Sequence, residues 1–180
     1  KLTINGRNIE APDGATILDA ARRAEIRIPT LCFLEKYAPL GACRVCLVEV
    51  EGARTLMAAC ATPVSDGMKI KTNSPAVRAA RRQAVELLLS EHDGNCQICD
   101  RNQDCELQEM ASELGLRDIS FDGEKTAAHI DDSTPALVRD NSKCIKCRRC
   151  VTVCNDVQGV GALFPQGRGF ETVIGPAFTL

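Results

Sequence analysis

Eleven cysteines dominate the chemistry open to this 180-residue chain. They form three groups. The first is Cys32-x10-Cys43-x2-Cys46-x13-Cys60, and the second is Cys96-x2-Cys99-x5-Cys105 with His92 ahead of it. The third is Cys144-x2-Cys147-x2-Cys150-x3-Cys154. A disulfide scaffold needs paired cysteines and an oxidising compartment. The odd count and an N-terminus without an apolar signal core meet neither condition. Repeated C-x2-C spacing instead lets two thiolates converge on one metal centre from a single loop. The eleven cysteines plus His92 make three sets of four with none left over.

The run from Cys144 to Cys154 is the bacterial ferredoxin pattern, with Asn155 where that pattern carries proline. The first group resembles the plant-type pattern C-x4-C-x2-C…C, apart from its longer first gap. Three cysteines and a histidine are also a common zinc set, so the second group alone leaves zinc and iron–sulfur both open. Beside two iron–sulfur patterns it reads as a third cluster. For His92 the competing reading is a surface histidine at a helix C-terminus.

Thiolates suit iron because they are soft, anionic donors. Exchanging one thiolate for a neutral imidazole removes a negative charge, so a cluster held by His92 accepts an electron more readily than an all-cysteine one. His129 has no such companions and reads as an ordinary polar residue. Gly41, lacking a Cβ, lets backbone N–H groups approach sulfur. Arg44, Arg101, Lys143, Lys146, Arg148 and Arg149 lie beside or between the cysteines. There they offset cluster charge, meet an acidic partner, or are simply solvated. No nucleophile motif, GxGxxG or P-loop lysine is present. These residues therefore hold no catalytic site, and the chemistry they suit is one-electron relay.

The elements that must position these ligands are short. Leu2–Ile4 and Asn8–Ala11 read as strands joined by an Asn5-Gly6 hairpin turn. Thr16, with Asp19 three residues on, caps a helix reaching about Ala24, with Ile17, Leu18 and Ala21 inward. Leu47–Val50, Arg54–Ala59 and Met68–Lys71 supply further strands. Ser74 and Pro75 start a helix to about Ser90 with Val77, Ala80, Ala84, Val85 and Leu88 on one face. Arg78, Arg81 and Arg82 read as its solvated side. Asp93-Gly94-Asn95 makes a turn that swings His92 towards Cys96, and Asp104–Leu114 reads as a second helix. Phe121–Lys143 is polar and irregular, and reads as a linker.

With 22 basic and 24 acidic side chains and a net charge of -2, nucleic acid is not an expected partner. No apolar run nears the roughly 18 residues of a membrane span. A cytoplasmic place is expected. No tryptophan, one tyrosine and five phenylalanines leave few large anchors for a core.

The order of these three motifs resembles two related families. One is the iron–sulfur subunit of bacterial complex I. The other is the N-terminal region of NAD(P)-linked [FeFe]-hydrogenase catalytic subunits, electron-bifurcating ones included, and of similarly built formate dehydrogenases. Pro29-Thr30-Leu31-Cys32 and Gly41-Ala42-Cys43-Arg44-Val45-Cys46 look like both. Cys154, Gly167-Arg168-Gly169-Phe170 and Gly175-Pro176-Ala177-Phe178 look like the hydrogenases. The resemblance implies a [2Fe–2S] cluster on Cys32, Cys43, Cys46 and Cys60, and a [4Fe–4S] cluster on His92, Cys96, Cys99 and Cys105. Cys144, Cys147 and Cys150 would hold a further [4Fe–4S] cluster, with Cys154 on the same or a neighbouring one.

The fold class expected is α+β. A β-grasp plant-type ferredoxin domain spans 1–74 and a helical [4Fe–4S] domain 75–120. A linker follows at 121–143, and a bacterial-type ferredoxin domain starts at 144–180 and continues beyond Leu180. The implied function is electron relay between a flavin-bearing partner and a hydrogenase active site. The implied partners are a flavin- and NAD(P)-binding subunit and a further small [2Fe–2S] subunit. The alternatives are a complex I or formate dehydrogenase subunit and, from another class, a zinc-stapled interaction module.

Overall fold

The computed structural model describes residues 1–37, 39–126 and 129–176. Two compact units, Lys1–Ala84 and Val85–Leu180, divide the chain within its longest helix.

In the first unit, β1 (Leu2–Ile4) and β2 (Arg7–Ile9) pair antiparallel, Ile4 opposite Arg7. Asn5 and Gly6, at φ 51° and 80°, form the two-residue turn that the right-handed strand twist favours. The Asn5 side chain also clamps Thr72, accepting its N–H at 2.9 Å and donating to its hydroxyl at 2.7 Å. Next come α1 (Ile17–Arg23), β3 (Leu47–Val50), β4 (Met57–Ala58) and β5 (Lys69–Lys71). The sheet order is β2-β1-β5-β3-β4, with β1 and β5 parallel and the remaining pairs antiparallel. Thr16 and Asp19 close a reciprocal capping box on α1. That helix buries Ile17, Leu18, Ala20 and Ala21 among Leu2, Ile4, Val48, Val50 and Ile70 of the sheet.

Three strands are shorter than the sequence predicts, β5 among them, which starts at Lys69 rather than Met68. β2 ends at Ile9, and only Met57–Ala58 of Arg54–Ala59 pairs. A turn through Gly52, φ 83°, bends the chain away from the ladder before it re-enters.

Helix α2 (Pro75–Glu91) starts as expected, with the Val77 N–H donating to Ser74 Oγ. Of its predicted apolar face Val77 and Val85 are fully buried, while Ala80, Ala84 and Leu88 are half-buried. Arg81 is not on a solvated face. It is only 7% exposed. Its Nε donates to the Val45 carbonyl at 2.9 Å, and its Nη2 donates to the carbonyls of Leu47 at 3.1 Å and Thr72 at 3.2 Å. A planar fork of donors is what lets one buried cation satisfy three carbonyls.

In the second unit, a three-ten turn (Cys96–Ile98) leads to α3 (Glu106–Glu113), which begins directly after Cys105 and buries Leu107 and Met110. The expected linker is corrected by the structure. Residues 120–126 are fastened to the end of α2. Ser120 donates its N–H and hydroxyl to Glu86, and Lys125 Nζ caps the carbonyls of Leu89 and His92. The approach is close enough that a Cβ at Gly123 would lie 2.7 Å from the Ser90 carbonyl oxygen. Then β6 (Ile130–Thr134) and β7 (Leu137–Asp140) form an antiparallel hairpin, tied by an Asp131–Arg139 ion pair.

Helix α4 (Arg149–Thr152) widens into a π-turn over Val153–Val157. The glycine-rich stretch forms a hairpin of β8 (Leu163–Gln166) and β9 (Val173–Pro176). Gly167 in its turn must be glycine twice over, with φ at +68° and an added Cβ 2.6 Å from the Glu171 carbonyl oxygen. Ala177 and Phe178 of the hydrogenase-like motif lie outside the described residues.

Candidate metal centres

The first cysteine set lies in the first unit and is buried: Cys32, Cys46 and Cys60 are each 1% exposed and Cys43 is 9%. Cys32 and Cys43 come from the irregular stretch between α1 and β3, Cys46 from the entry to β3, and Cys60 from just past β4. Gly41 and Arg44, at φ 59° and 56°, turn the backbone left-handed on both sides of Cys43. Successive N–H groups in such a turn face inward, a form that suits anions. The Cys43 N–H lies 3.5 Å from Cys32 Sγ. An added Cβ at Gly41 would meet only Ala61, at 3.9 Å, so its glycine serves conformation rather than clearance.

The sulfurs come as two pairs. Cys46 Sγ and Cys60 Sγ are 3.4 Å apart, and Cys32 and Cys43 hydrogen-bond likewise. Within each pair the two thiols shift each other's pKa in opposite directions. The hydrogen bond from Cys43 draws the Cys32 thiol down to about 6, and the bond with Cys60 draws Cys46 down to about 7. The bonds with Cys32 and Cys46, and then burial, push Cys43 and Cys60 up. Four buried thiols in a packed interior, two already inclined to ionise, fit a cationic centre that deprotonates all four. Among the described residues no three His, Cys, Asp or Glu side chains surround a single point as one bare ion requires. Cluster ligands are distributed over several metal atoms.

The second set is brought together by local structure at the end of α2. His92, Cys96, Cys99 and Cys105 all line one cavity of about 620 Å³, with Lys143, Ile145 and Arg149 on its wall. The predicted turn is present. Gly94 is at φ 75° and its N–H donates to His92 Nδ1 at 3.0 Å. Desolvation lowers the His92 pKa, against the raising influence of Asp93 and the Lys143 backbone. The neutral imidazole so favoured is the form that can ligate a metal. Gln103, at φ 67°, turns the loop between Cys99 and Cys105.

The third set begins where Asp140 caps a three-ten turn (Asn141–Lys143), accepting the Ser142 N–H at 3.0 Å, and so delivers Cys144. Lys146 and Arg148, at φ 54° and 61°, are left-handed, and the Lys146 N–H reaches Cys144 Sγ at 3.4 Å. Burial raises the pKa of Cys144 and of Cys150, and the charge of Cys147 raises both further. These three sulfurs therefore share one neighbourhood. The Cys154 sulfur, on the π-turn, takes the Ala162 N–H at 3.1 Å.

Sequence reasoning missed the left-handed Gln103, Lys146 and Arg148, since these residue types carry no signal for φ > 0. It also missed the acidic partners of the basic residues among the ligands. Lys146 pairs with Glu91 and Arg149 with Glu106. Predicted only as polar, His129 lines a separate cavity of about 500 Å³ with Arg139 and Phe170.

A family described as "2Fe-2S iron-sulfur cluster binding domain" matches residues 1–75. One described as "NADH-ubiquinone oxidoreductase-G iron-sulfur binding region" matches residues 81–120. The chain is 47% identical to the NADP-reducing hydrogenase subunit HndD of Solidesulfovibrio fructosivorans, over 99% of this chain and 32% of that protein. It is 39% identical to the NADH-ubiquinone oxidoreductase 75 kDa subunit of Reclinomonas americana, over 95% of this chain and 25% of that protein. The chain thus spans about a third and a quarter of these relatives' lengths. A crystal structure of an NAD+-reducing [NiFe]-hydrogenase in the H2-reduced state superimposes with a TM-score of 0.91 at 32% identity, covering 98% of this chain and 74% of that one.

Proposed function

This chain belongs to the iron–sulfur electron-transfer family shared by NAD(P)-linked hydrogenases and complex I-type subunits, and from that premise we propose a one-electron relay within a larger NAD(P)-linked hydrogenase. The family's domains bind [2Fe–2S] and [4Fe–4S] clusters. The first unit serves as a β-grasp, plant-type ferredoxin domain, its [2Fe–2S] cluster held by Cys32 and Cys43 on one iron and Cys46 and Cys60 on the other. The two buried sulfur pairs support that division. His92, Cys96, Cys99 and Cys105 hold a [4Fe–4S] cluster. Cys144, Cys147 and Cys150 hold another, and Cys154, whose sulfur is engaged separately by Ala162, serves a neighbouring one.

The observation that carries the reading is the meeting of His92, Cys96, Cys99 and Cys105 in one cavity, from a helix end, a three-ten turn and a helix start. When bound, the clusters supply one-electron redox chemistry. The chain's own residues bury the first cluster's ligands, present N–H groups to sulfur, and set the charge around each site.

The partners proposed are a flavin- and NAD(P)-binding subunit and a small [2Fe–2S] subunit, with an [FeFe] active site, electron bifurcation and a cytoplasmic setting belonging to the same reading. The similarity to the Reclinomonas americana 75 kDa subunit supports a second reading, a complex I-type relay. Iron and acid-labile sulfide analysis with a visible absorption spectrum tests the common core. A brown protein carrying both elements is expected. A colourless one holding zinc and no sulfide would establish the zinc-stapled module instead.

A further inference from the structure

Two ion pairs in the second unit have the same construction. Glu91, the residue before His92, pairs with Lys146, which sits between Cys144 and Cys147. Glu106, the residue after Cys105, pairs with Arg149, which sits between Cys147 and Cys150. Each acid flanks one end of the second ligand set, and each base lies inside the third cysteine run. The first pair is largely shielded and the second lies nearer the surface. Lys146 and Glu91 side chains are 16% and 28% exposed, and Arg149 and Glu106 are 31% and 50%. The Arg149 contact is two-pronged, with Nη1 donating to Glu106 Oε1 at 3.3 Å and Nη2 donating to Oε2. Arg149 also lies close enough to Cys147 to act on it by charge, and it lines the cavity of the second set. Lys146 acts on Cys144 by its charge and donates to the Phe170 carbonyl at 3.3 Å. Between the two clasps the Asp93 N–H donates to the Ser142 carbonyl at 3.2 Å, joining the His92 turn to the segment ahead of Cys144.

Side chains serving only to solvate a cluster's charge would point to water or to sulfur. These bases instead touch a sulfur or its near field at one end and a carboxylate beside the other ligand set. Resting on the ligand assignment proposed above, we infer that Glu91–Lys146 and Glu106–Arg149 are positioning clasps that hold the two [4Fe–4S] sites at a set separation and link their reduction potentials. A cation beside a cluster favours the extra electron, and a carboxylate disfavours it. Neutralising the carboxylate therefore raises the potential of the second site, and frees the guanidinium to act more strongly on the third. Neutralising the guanidinium does the opposite at both. A bidentate fork also fixes orientation as an ammonium cannot, so lysine in place of Arg149 keeps the charge but loosens the link.

The test is redox-titrated EPR on the full-length protein carrying its clusters, comparing wild type with Glu106→Gln, Arg149→Gln, Arg149→Lys and the double variant Glu106→Gln/Arg149→Gln. Glu106→Gln is expected to shift both [4Fe–4S] midpoints upward and Arg149→Gln to shift both downward, with the [2Fe–2S] midpoint unmoved. Arg149→Lys restores the potentials towards wild type, and the double variant departs from the sum of the singles. If Arg149→Gln fails to assemble, Glu106→Gln decides alone, because it removes no cation. Unmoved [4Fe–4S] midpoints in that variant, or additive shifts in the cycle, would overturn the coupling while leaving the relay intact. A wild type with no [4Fe–4S] signal overturns the ligand assignment, and the coupling with it.

Discussion

His92 and Arg81 show how much rests on single side chains at this protein's centres. A neutral imidazole in place of a thiolate leaves a cluster one negative charge lighter and easier to reduce. His92→Cys is therefore expected to retain a [4Fe–4S] cluster and lower its midpoint in redox-titrated EPR. An unchanged midpoint would mean that His92 is not a ligand. Arg81 works through the backbone around a ligand. Its three hydrogen bonds fasten α2 to the carbonyls of Val45 and Leu47, on either side of Cys46, and of Thr72. Replacing it with methionine fills much of the same space but strands three carbonyls, at a cost of about 2–4 kcal/mol. Urea unfolding of the first unit should show that loss, accompanied by faster bleaching of the [2Fe–2S] absorption. Wild-type behaviour in both would show that the carbonyls find other donors.

Short elements here depend on their ends. Helix α1 has seven residues, too few to stand without help. The Thr16 hydroxyl accepts the Asp19 N–H at 3.1 Å while Asp19 accepts the Thr16 N–H at 3.0 Å. Thr16→Ala should cost about 1 kcal/mol, read as a lower urea midpoint with unchanged slope. The β6–β7 hairpin is held differently. The Arg139 guanidinium first, and then Ser133, holds the Asp131 carboxyl well below the usual carboxylate range. A carboxyl whose folded pKa is depressed contributes stability that is complete above its unfolded pKa. It is lost as pH falls towards the folded value. Amide protection in Ile130–Thr134 and Leu137–Asp140 should therefore fall as pH drops below about 4. Asp131→Asn should abolish that dependence.

Each of the two units has its own source of cohesion. The first has a continuous apolar core, from Leu2 and Ile4 through Ile17 and Leu18 to Val48 and Ile70, packed around its cysteines. In the second, among the described residues, the buried apolar side chains are Val85, Leu107, Met110 and Ile174, and its cysteines are partly exposed. In the reading proposed above, bonds to iron would supply there the cohesion that side-chain burial supplies in the first unit. Stripping iron with a chelator under reducing conditions should therefore leave residues 1–84 protected in hydrogen exchange and open most amides beyond Val85. Uniform loss across both units would show that the first core also depends on its cluster. Among the described residues no helix is long and apolar enough to cross a membrane.

The kind of chemistry was legible in the sequence, because sulfur ligation is constrained locally. Two thiolates separated by two residues converge from one loop, and a histidine four residues before Cys96 lies one turn away. The turn at Asn5-Gly6, the box at Thr16 and the start of α2 at Ser74 were legible for the same reason, each being satisfied within three or four residues. Tertiary structure alone decided what spans long separations. It set Cys46 against Cys60, sank Arg81 against the carbonyls flanking Cys46, and turned residues 120–126 into a fastened strap and 130–140 into a hairpin. It also chose Glu91 and Glu106 as counterparts of Lys146 and Arg149, 55 and 43 residues away. A charged residue's type is compatible with solvent, sulfur or a buried carbonyl, and only the packed chain determines which of them it meets.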